Sequence, residues 1–310
     1  MADLDPAVVT ERVLRLKHAR PFDSIPVAEL AQFAGAGREV VCTTRTTLAA
    51  EGERASAHWV ALTGRLRAVR PGGVPFAGDR IENGFGGLSI LGDRPMPCER
   101  VAEPGSVLLV LDADALYGVL DESGGLTRSL LRAMAQAIIE FRGRADRQFP
   151  EVPPGENIPA EALDVLARVV LLREAIGLSS RSLMVLVRLA RAALVERTAA
   201  RAALWDPGLT PADLVIIPQQ VESPSTPALA GRAYGLVESV AGVPMGRPGA
   251  ASRETSRLVV AASELQEVIE DDDRFCLELV RLFARELWEE FWGTHTSTSP
   301  VVVGSGPRPS

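Results

Sequence analysis

Lysine is almost missing from this chain: Lys17 is the single lysine among 33 basic residues, the others being arginine. With the many alanines beside it, this skew reads as the codon bias of a GC-rich bacterial genome and marks no site. Histidine is equally scarce. His18 ends an amphipathic helix, His58 precedes a strand and His295 lies in the tail, so all three read as surface or edge residues and a histidine-rich metal site is excluded. The three cysteines, Cys42, Cys98 and Cys276, are odd in number and far apart, which makes neither a disulfide framework nor a Cys-x-x-Cys pair. No apolar run approaches the ~18 residues of a membrane span, and the N-terminus lacks a basic region leading into an apolar one. The expectation is a soluble, cytoplasmic protein with no membrane contact.

The motifs of catalysis are missing too. There is no GxSxG, HExxH, Walker or kinase signature, and Gly84-Phe85-Gly86-Gly87 reads as a turn rather than a dinucleotide loop. Glu270-Asp271-Asp272-Asp273 lacks the alternation of a calcium loop and reads as a solvated acidic turn that caps the helix after it. No catalytic residue, cofactor or metal is therefore expected, and the chain reads as a non-enzyme. The net charge of −7, with no basic patch, argues against nucleic acid as a partner.

What is present is enough for two domains: 310 residues, 46% of them apolar. Two short amphipathic helices are predicted at 6–18 and 26–34. From Glu39 to Val110, short β-branched runs alternate with Gly and Pro clusters, the pattern of a compact antiparallel β-structure. Helices follow at 114–121 and 126–142, and Pro150, Pro153 and Pro154 then interrupt the chain. The second half repeats the first. An offset of 156 lays Trp59-Val60 on Val215-Ile216; an offset of 149 lays Phe85-Gly86 on Tyr234-Gly235, Pro95-Met96 on Pro244-Met245 and Leu109-Val110-Leu111 on Leu258-Val259-Val260. Four matches in order predict a tandem duplication, divided as domain 1 at 1–149, a linker at 150–159, a more divergent domain 2 at 160–293 and a disordered tail at 294–310.

Several pieces stand in a fixed order: Glu51-Gly52-Glu53, Trp59-Val60-Ala61-Leu62-Thr63-Gly64-Arg65-Leu66, and Phe85-Gly86-Gly87-Leu88-Ser89-Ile90-Leu91 with Pro95 behind it. In this order the first copy resembles the cyclic nucleotide-binding domain of catabolite-activator-type regulators and protein kinase A regulatory subunits. The resemblance implies an α+β protein of two tandem antiparallel β-rolls, each a double-layered, jelly-roll-like barrel flanked by helices. It also implies a phosphate-binding cassette at Phe85, Gly86, Gly87 and Leu88, and a second at Tyr234, Gly235 and Leu236. In that family a glutamate after the cassette glycine accepts the ribose hydroxyl, and an arginine after the downstream proline pairs with the phosphate. Those positions hold Gly87 and Met96 in one copy, Leu236 and Met245 in the other. Two charge-assisted hydrogen bonds lost per site remove roughly 3–6 kcal/mol, or 10²–10⁴ in affinity. Both cassettes are thus degenerate and no cyclic nucleotide is expected. The methionines are read as apolar filling of the former pocket; Arg94, Arg100 and Arg247 nearby are read as solvated, with a relocated anion site as the alternative.

Interaction surface is what remains. Phe275, Leu279, Phe283, Leu287 and Phe291 recur every four residues on the last helix, with Trp288 and Trp292 to one side. That arc is wider than one packing face requires, so a homodimer or protein-partner interface is predicted there. The leading reading is a regulatory or scaffold protein acting through protein contacts. The alternatives are a ligand sensor with relocated groups in one β-roll and a cargo or assembly component docked through Val301-Val302-Val303-Gly304-Ser305-Gly306, which resembles the peptides that load encapsulin shells.

Overall fold

The structure, a computed structural model, describes residues 5–18, 22–70, 74–75, 84–144, 158–159, 162–178, 182–221, 228–246 and 249–292. The tail and most of the proline-rich connection lie outside these residues. Two helices come first, α1 (Pro6–Leu16) and α2 (Val27–Ala36). Asp5 caps α1 by accepting the Ala7 N–H, and Pro6 occupies the first turn, where its missing N–H costs nothing.

Among the described residues eight strands follow: β1 (Arg38–Cys42), β2 (Thr46–Ala49), β3 (Ala57–Thr63), β4 (Leu66–Arg70), β5 (Val74–Pro75), β6 (Gly84–Phe85), β7 (Glu99–Ala102) and β8 (Ser106–Asp112), with the short helix α3 (Gly87–Leu91) after β6. They form two antiparallel four-stranded sheets, ordered β1-β8-β3-β6 and β2-β7-β4-β5. Alternate side chains point between the layers. Trp59, Phe85, Leu108 and Val110 from one sheet meet Leu66 and Ala102 from the other, with Cys42 and Met96 completing this inner core. The arrangement is an eight-stranded double-layered β-roll. Helices α4 (Ala113–Glu122) and α5 (Gly124–Arg144) close the first half.

The second half runs through α6 (Val165–Ile176), α7 (Leu183–Ala192), β9 (Leu194–Thr198), β10 (Leu214–Val221), β11 (Ala228–Tyr234), α8 (Leu236–Ala241), β12 (Thr255–Val260), α9 (Ala262–Asp271) and α10 (Asp273–Trp292). Its sheet has the order β9-β12-β10-β11, the same as β1-β8-β3-β6. The registers agree residue by residue. Trp59 stands opposite Val110 and Phe85, and Val215 stands opposite Val259 and Tyr234. Arg38 pairs with Val110 as Leu194 pairs with Val259. Each correspondence has the offset read from sequence, 156 before the hairpin and 149 after it. The second layer here, among the described residues, is a single bridge, Ala203 opposite Ala250. Leu204, Trp205, Met245 and Ala251 cover the inner face of the sheet in its place.

The likeness extends to buried polar detail that no pattern in the sequence announced. Arg12 Nη1 donates to the carbonyls of Ala34 and Gly37, both at 2.9 Å, binding α1 to the end of α2. Arg168 Nη1 donates to Ala190 and Ala193, the same places shifted by 156. Tyr117 Oη donates to Ile90 O as Gln266 Nε2 donates to Ser239 O, shifted by 149. Unpaired helix-end carbonyls are costly when buried, and a guanidinium reaching two of them at once answers that need.

The acidic turn caps the helix after it, as its sequence reading has it, and is ion-paired as well. Asp272 caps α10, accepting the Phe275 N–H at 2.8 Å as Ser123 Oγ accepts from Leu126 in the first half. Its neighbours are paired rather than merely solvated: Asp273 with Arg128, Asp271 with Arg188 and Glu270 with Arg132. Asp272→Ala is expected to lower stability by about 1 kcal/mol in urea denaturation, the usual loss of a cap, and an unchanged midpoint would remove Asp272 from that role. No described helix is long and apolar enough to cross a membrane.

Candidate functional site

Each cassette begins at a glycine with positive φ, Gly86 at 90° and Gly235 at 83°. A Cβ there would collide with the carbonyl of Ala57 or of Asp213, equivalent positions in the two halves. Only glycine therefore lets the strand turn directly into α3 or α8. The helices that follow are short and buried: Ile90 and Leu91 in one, Leu236, Val237 and Val240 in the other, all in the main core.

The positions read from sequence as lost ligands are packed. Met96 is 2% exposed and lies with Trp59 and Phe85; Met245 is 3% exposed and lies with Trp205 and Tyr234. Aromatic stacks flank both, Trp59 on Phe85 at 4.8 Å between centroids and Trp205 on Tyr234 at 5.1 Å. Gly87 offers no carboxylate, and the same register position in α8 is Leu236, buried. Leu88 packs against the main core. Burial raises the Tyr234 hydroxyl above its ordinary pKa, against the pull of Arg232.

Three residues stand elsewhere than the sequence placed them. His58 belongs to β3, where it faces Leu111 rather than preceding the strand. Its side chain points to the helical side, with the rings of Phe22 and Phe33 at 6.1 and 5.9 Å. Nδ1 lies 2.8 Å from Phe85 O and 3.1 Å from the Gly87 amide nitrogen, so the imidazole joins β3 to the start of cassette helix α3. Burial lowers its pKa to about 4, the Phe85 carbonyl opposing this only in part. Arg94, partly exposed, is ion-paired with Glu289 of α10 rather than solvated on its own. Arg100 is 2% exposed, one of the largest fully buried side chains, and its guanidinium lies 5.4 Å from the centroids of both Phe85 and Trp292. Cation–π stacking of this kind replaces part of the hydration such a charge gives up.

The aromatic stripe of α10 corrects the predicted interface. Phe275, Leu279, Phe283 and Leu287 are buried within the chain's main core, and Trp292 lies against Ala68 and Cys98 of the β-roll. Phe291 meets Phe141 edge-on at 5.1 Å. Trp288 Nε1 donates to Pro95 O at 3.1 Å, the loop directly behind cassette helix α3. An α-carbon of α10 approaches so closely that a Cβ on Gly92 would meet the backbone of Arg285 at 3.1 Å. The stripe is wide because it serves two faces of the same protein: α10 packs along α5 and across α3, while α5 packs across α8. Each half thus lays its last helix on the other half's cassette. Arg142 and Glu286 add an ion pair across the α5–α10 seam, where burial raises the Glu286 carboxyl despite the arginine. Among the described residues no group of three or more His, Cys, Asp or Glu side chains is placed to hold a metal.

No family model matches the chain, and no curated protein matches it. Among solved structures it is similar to the regulatory domain of Toxoplasma gondii PKA with cAMP, at 13% identity over 93% of this chain and 99% of that one, with a TM-score of 0.31. It is also similar to the regulatory subunit of a cAMP-independent protein kinase A from Trypanosoma cruzi bound to guanosine (13% identity, 95% of each chain, TM-score 0.36). The corresponding Trypanosoma brucei subunit is 11% identical over 92% of this chain and 97% of that one, with a TM-score of 0.34. The fold class is α+β, antiparallel sheets flanked by helices.

Proposed function

We propose that this chain is a non-enzymatic regulatory or scaffold protein of bacterial cytoplasm, built from two degenerate copies of one cyclic nucleotide-binding-like domain and acting through protein contacts. The copies are 1–149 and 160–293, with 150–159 as linker and 294–310 as tail. The matching registers at offsets of 156 and 149 support the duplication. The observation that carries the reading is the filling of both cassettes: methionine is packed where the phosphate arginine would stand, and the partner half's last helix lies over each.

Titration calorimetry with cAMP and cGMP tests it. No binding heat is expected up to roughly millimolar ligand, the weakness that the missing charged hydrogen bonds imply. Micromolar binding would overturn the reading in favour of a ligand sensor, the alternative that Arg100 inside the first β-roll favours.

A further inference from the structure

Helices α5 and α10 run side by side in the same direction: the Asp273 carboxylate lies at Gly124, the first residue of α5, and Phe141 meets Phe291 at the other end. The offset of 149 relates Gly124 to Asp273, so equal positions of the two helices face each other there. The apolar contacts keep that equivalence. Leu126, Met134 and Ile138 of α5 and their counterparts Phe275, Phe283 and Leu287 of α10 share one core, and α10 lies on α3 as α5 lies on α8. Contacts made from i to j and again from j to i are those of the two-fold interface of a symmetric dimer.

The charges do not keep it. Across this seam Arg94 pairs with Glu289, Arg128 with Asp273 at 2.6 Å, Arg132 with Glu270 at 3.4 Å and Arg142 with Glu286. In each of these four the cation belongs to the first half and the anion to the second. Two of the four could be made by a pair of like halves, because the positions that match Glu270 and Glu289 in the first half are Asp121 and Glu140. The other two could not. The first half has Gly124 and Ala137 where Asp273 and Glu286 stand, so a pair of first halves would offer Arg128 and Arg142 no anion at those positions. The second half has Leu277 and Phe291 where Arg128 and Arg142 stand, so a pair of second halves would set the partly buried Glu286 against an aromatic ring.

We propose that this seam is a docking surface specific for the unlike half, and that its partner in trans is a second copy of the same chain, with which it exchanges halves. The first half of one copy then holds the second half of the other, and both seams of the exchanged dimer keep the four pairs. Residues 145–157 separate Arg144 from Ile158, and a chain of that length reaches at most about 45 Å, which permits the exchange. Within one chain such a connection holds the halves at an effective concentration on the order of millimolar, so at micromolar protein the native chain closes on itself. The inference goes beyond the proposed function and does not rest on it, since binding of a cyclic nucleotide would leave the seam charges as they are.

Two full-length variants test it. One carries Arg128→Glu and Arg142→Glu, the other Asp273→Lys and Glu286→Lys, so that each sets like charges across its own seam, a juxtaposition that specific surfaces avoid. Mixed in equal amounts and refolded together from urea at about 10 μM, they should form a dimer with one copy of each, because only exchange restores opposite charges in both seams. Light scattering gives the mass, and a different dye on each variant gives the composition. At least about half of the protein is expected in that dimer, against under about a tenth for the native chain or for either variant refolded alone. Arg142→Glu and Glu286→Lys placed together in one chain should give a monomer again; a dimer there would tie exchange to the substitutions and not to the charges, and overturns the proposal. So does a mixture that stays monomeric, or a variant that dimerises with itself as readily as with the other. Should either double variant fail to fold in the mixture, Arg142→Glu in one chain and Glu286→Lys in the other decide by the same measurement.

Discussion

Phe283→Ala is expected to lower the stability of the whole chain by about 3–5 kcal/mol, and to do so in a single transition. The magnitude follows from complete burial of the ring, which leaves a large cavity if the neighbours cannot close on it. The single transition follows from where the ring lies. One continuous apolar cluster joins Leu62, Ile90 and Met134 of the first half to Leu214, Val237 and Phe283 of the second. Because α10 lies across α3 and α5 across α8, neither half can lose its last helix without uncovering the other's cassette. Two domains joined only by a linker would melt separately, and a lesson in the second would leave the first untouched. Differential scanning calorimetry distinguishes the cases: agreement of calorimetric and van't Hoff enthalpies in both proteins is the expected result. Two resolved transitions, of which Phe283→Ala moves only one, would show that the shared cluster does not couple the halves. A loss under about 1 kcal/mol would show that the site closes on itself.

The pattern of apolar residues and turns was enough to foresee this architecture in outline. Trp59-Val60 and Val215-Ile216 belong to short apolar runs bounded by Gly or Pro, and Phe85-Gly86 and Tyr234-Gly235 mark the same sharp turn, so their spacing carried over directly into strand register. Single polar residues carry no such period. In an arginine-rich chain nothing distinguishes Arg12 and Arg168, which bind helix ends, from solvated arginines until the carbonyls they reach are in view. Arg100 was assigned to the surface because charged side chains are rarely fully buried; the ring that permits its burial arrives from Trp292, remote in sequence. The stripe on α10 was rightly seen as too wide for one packing face. Periodicity gives the width of a face and not its partner, and here the partner is the other half of the same chain. His58 was misplaced by a strand boundary alone, the least certain feature of any sequence reading.

That misplaced histidine gives the second large effect. The folded protein should lose roughly 3 kcal/mol between pH 7 and pH 4 on account of His58, whose pKa falls from 6.5 to about 4 as the chain folds. The sign follows from which state holds the proton. Between these pH values the unfolded chain binds a proton that the folded chain refuses, so stability is fully present above pH 6.5 and is lost as the pH falls through that window. Burial between Phe22 and Phe33 is the cause, and the Phe85 carbonyl compensates only in part. Glu286 works the other way: its raised carboxyl adds stability that is present at low pH and lost as the pH rises. It is common to the native chain and to His58→Gln, so it cancels when the two are compared. Urea denaturation of both at several pH values between 7 and 4 reads the difference. His58→Gln should start less stable, because the link between β3 and α3 is weakened, and should then fall less steeply as acid is added. Parallel curves would mean that the imidazole takes up its proton in the folded state without difficulty. The site would then be open to water, and the start of the cassette helix would not be sealed in the way the geometry of Phe22, Phe33 and Phe85 around His58 requires.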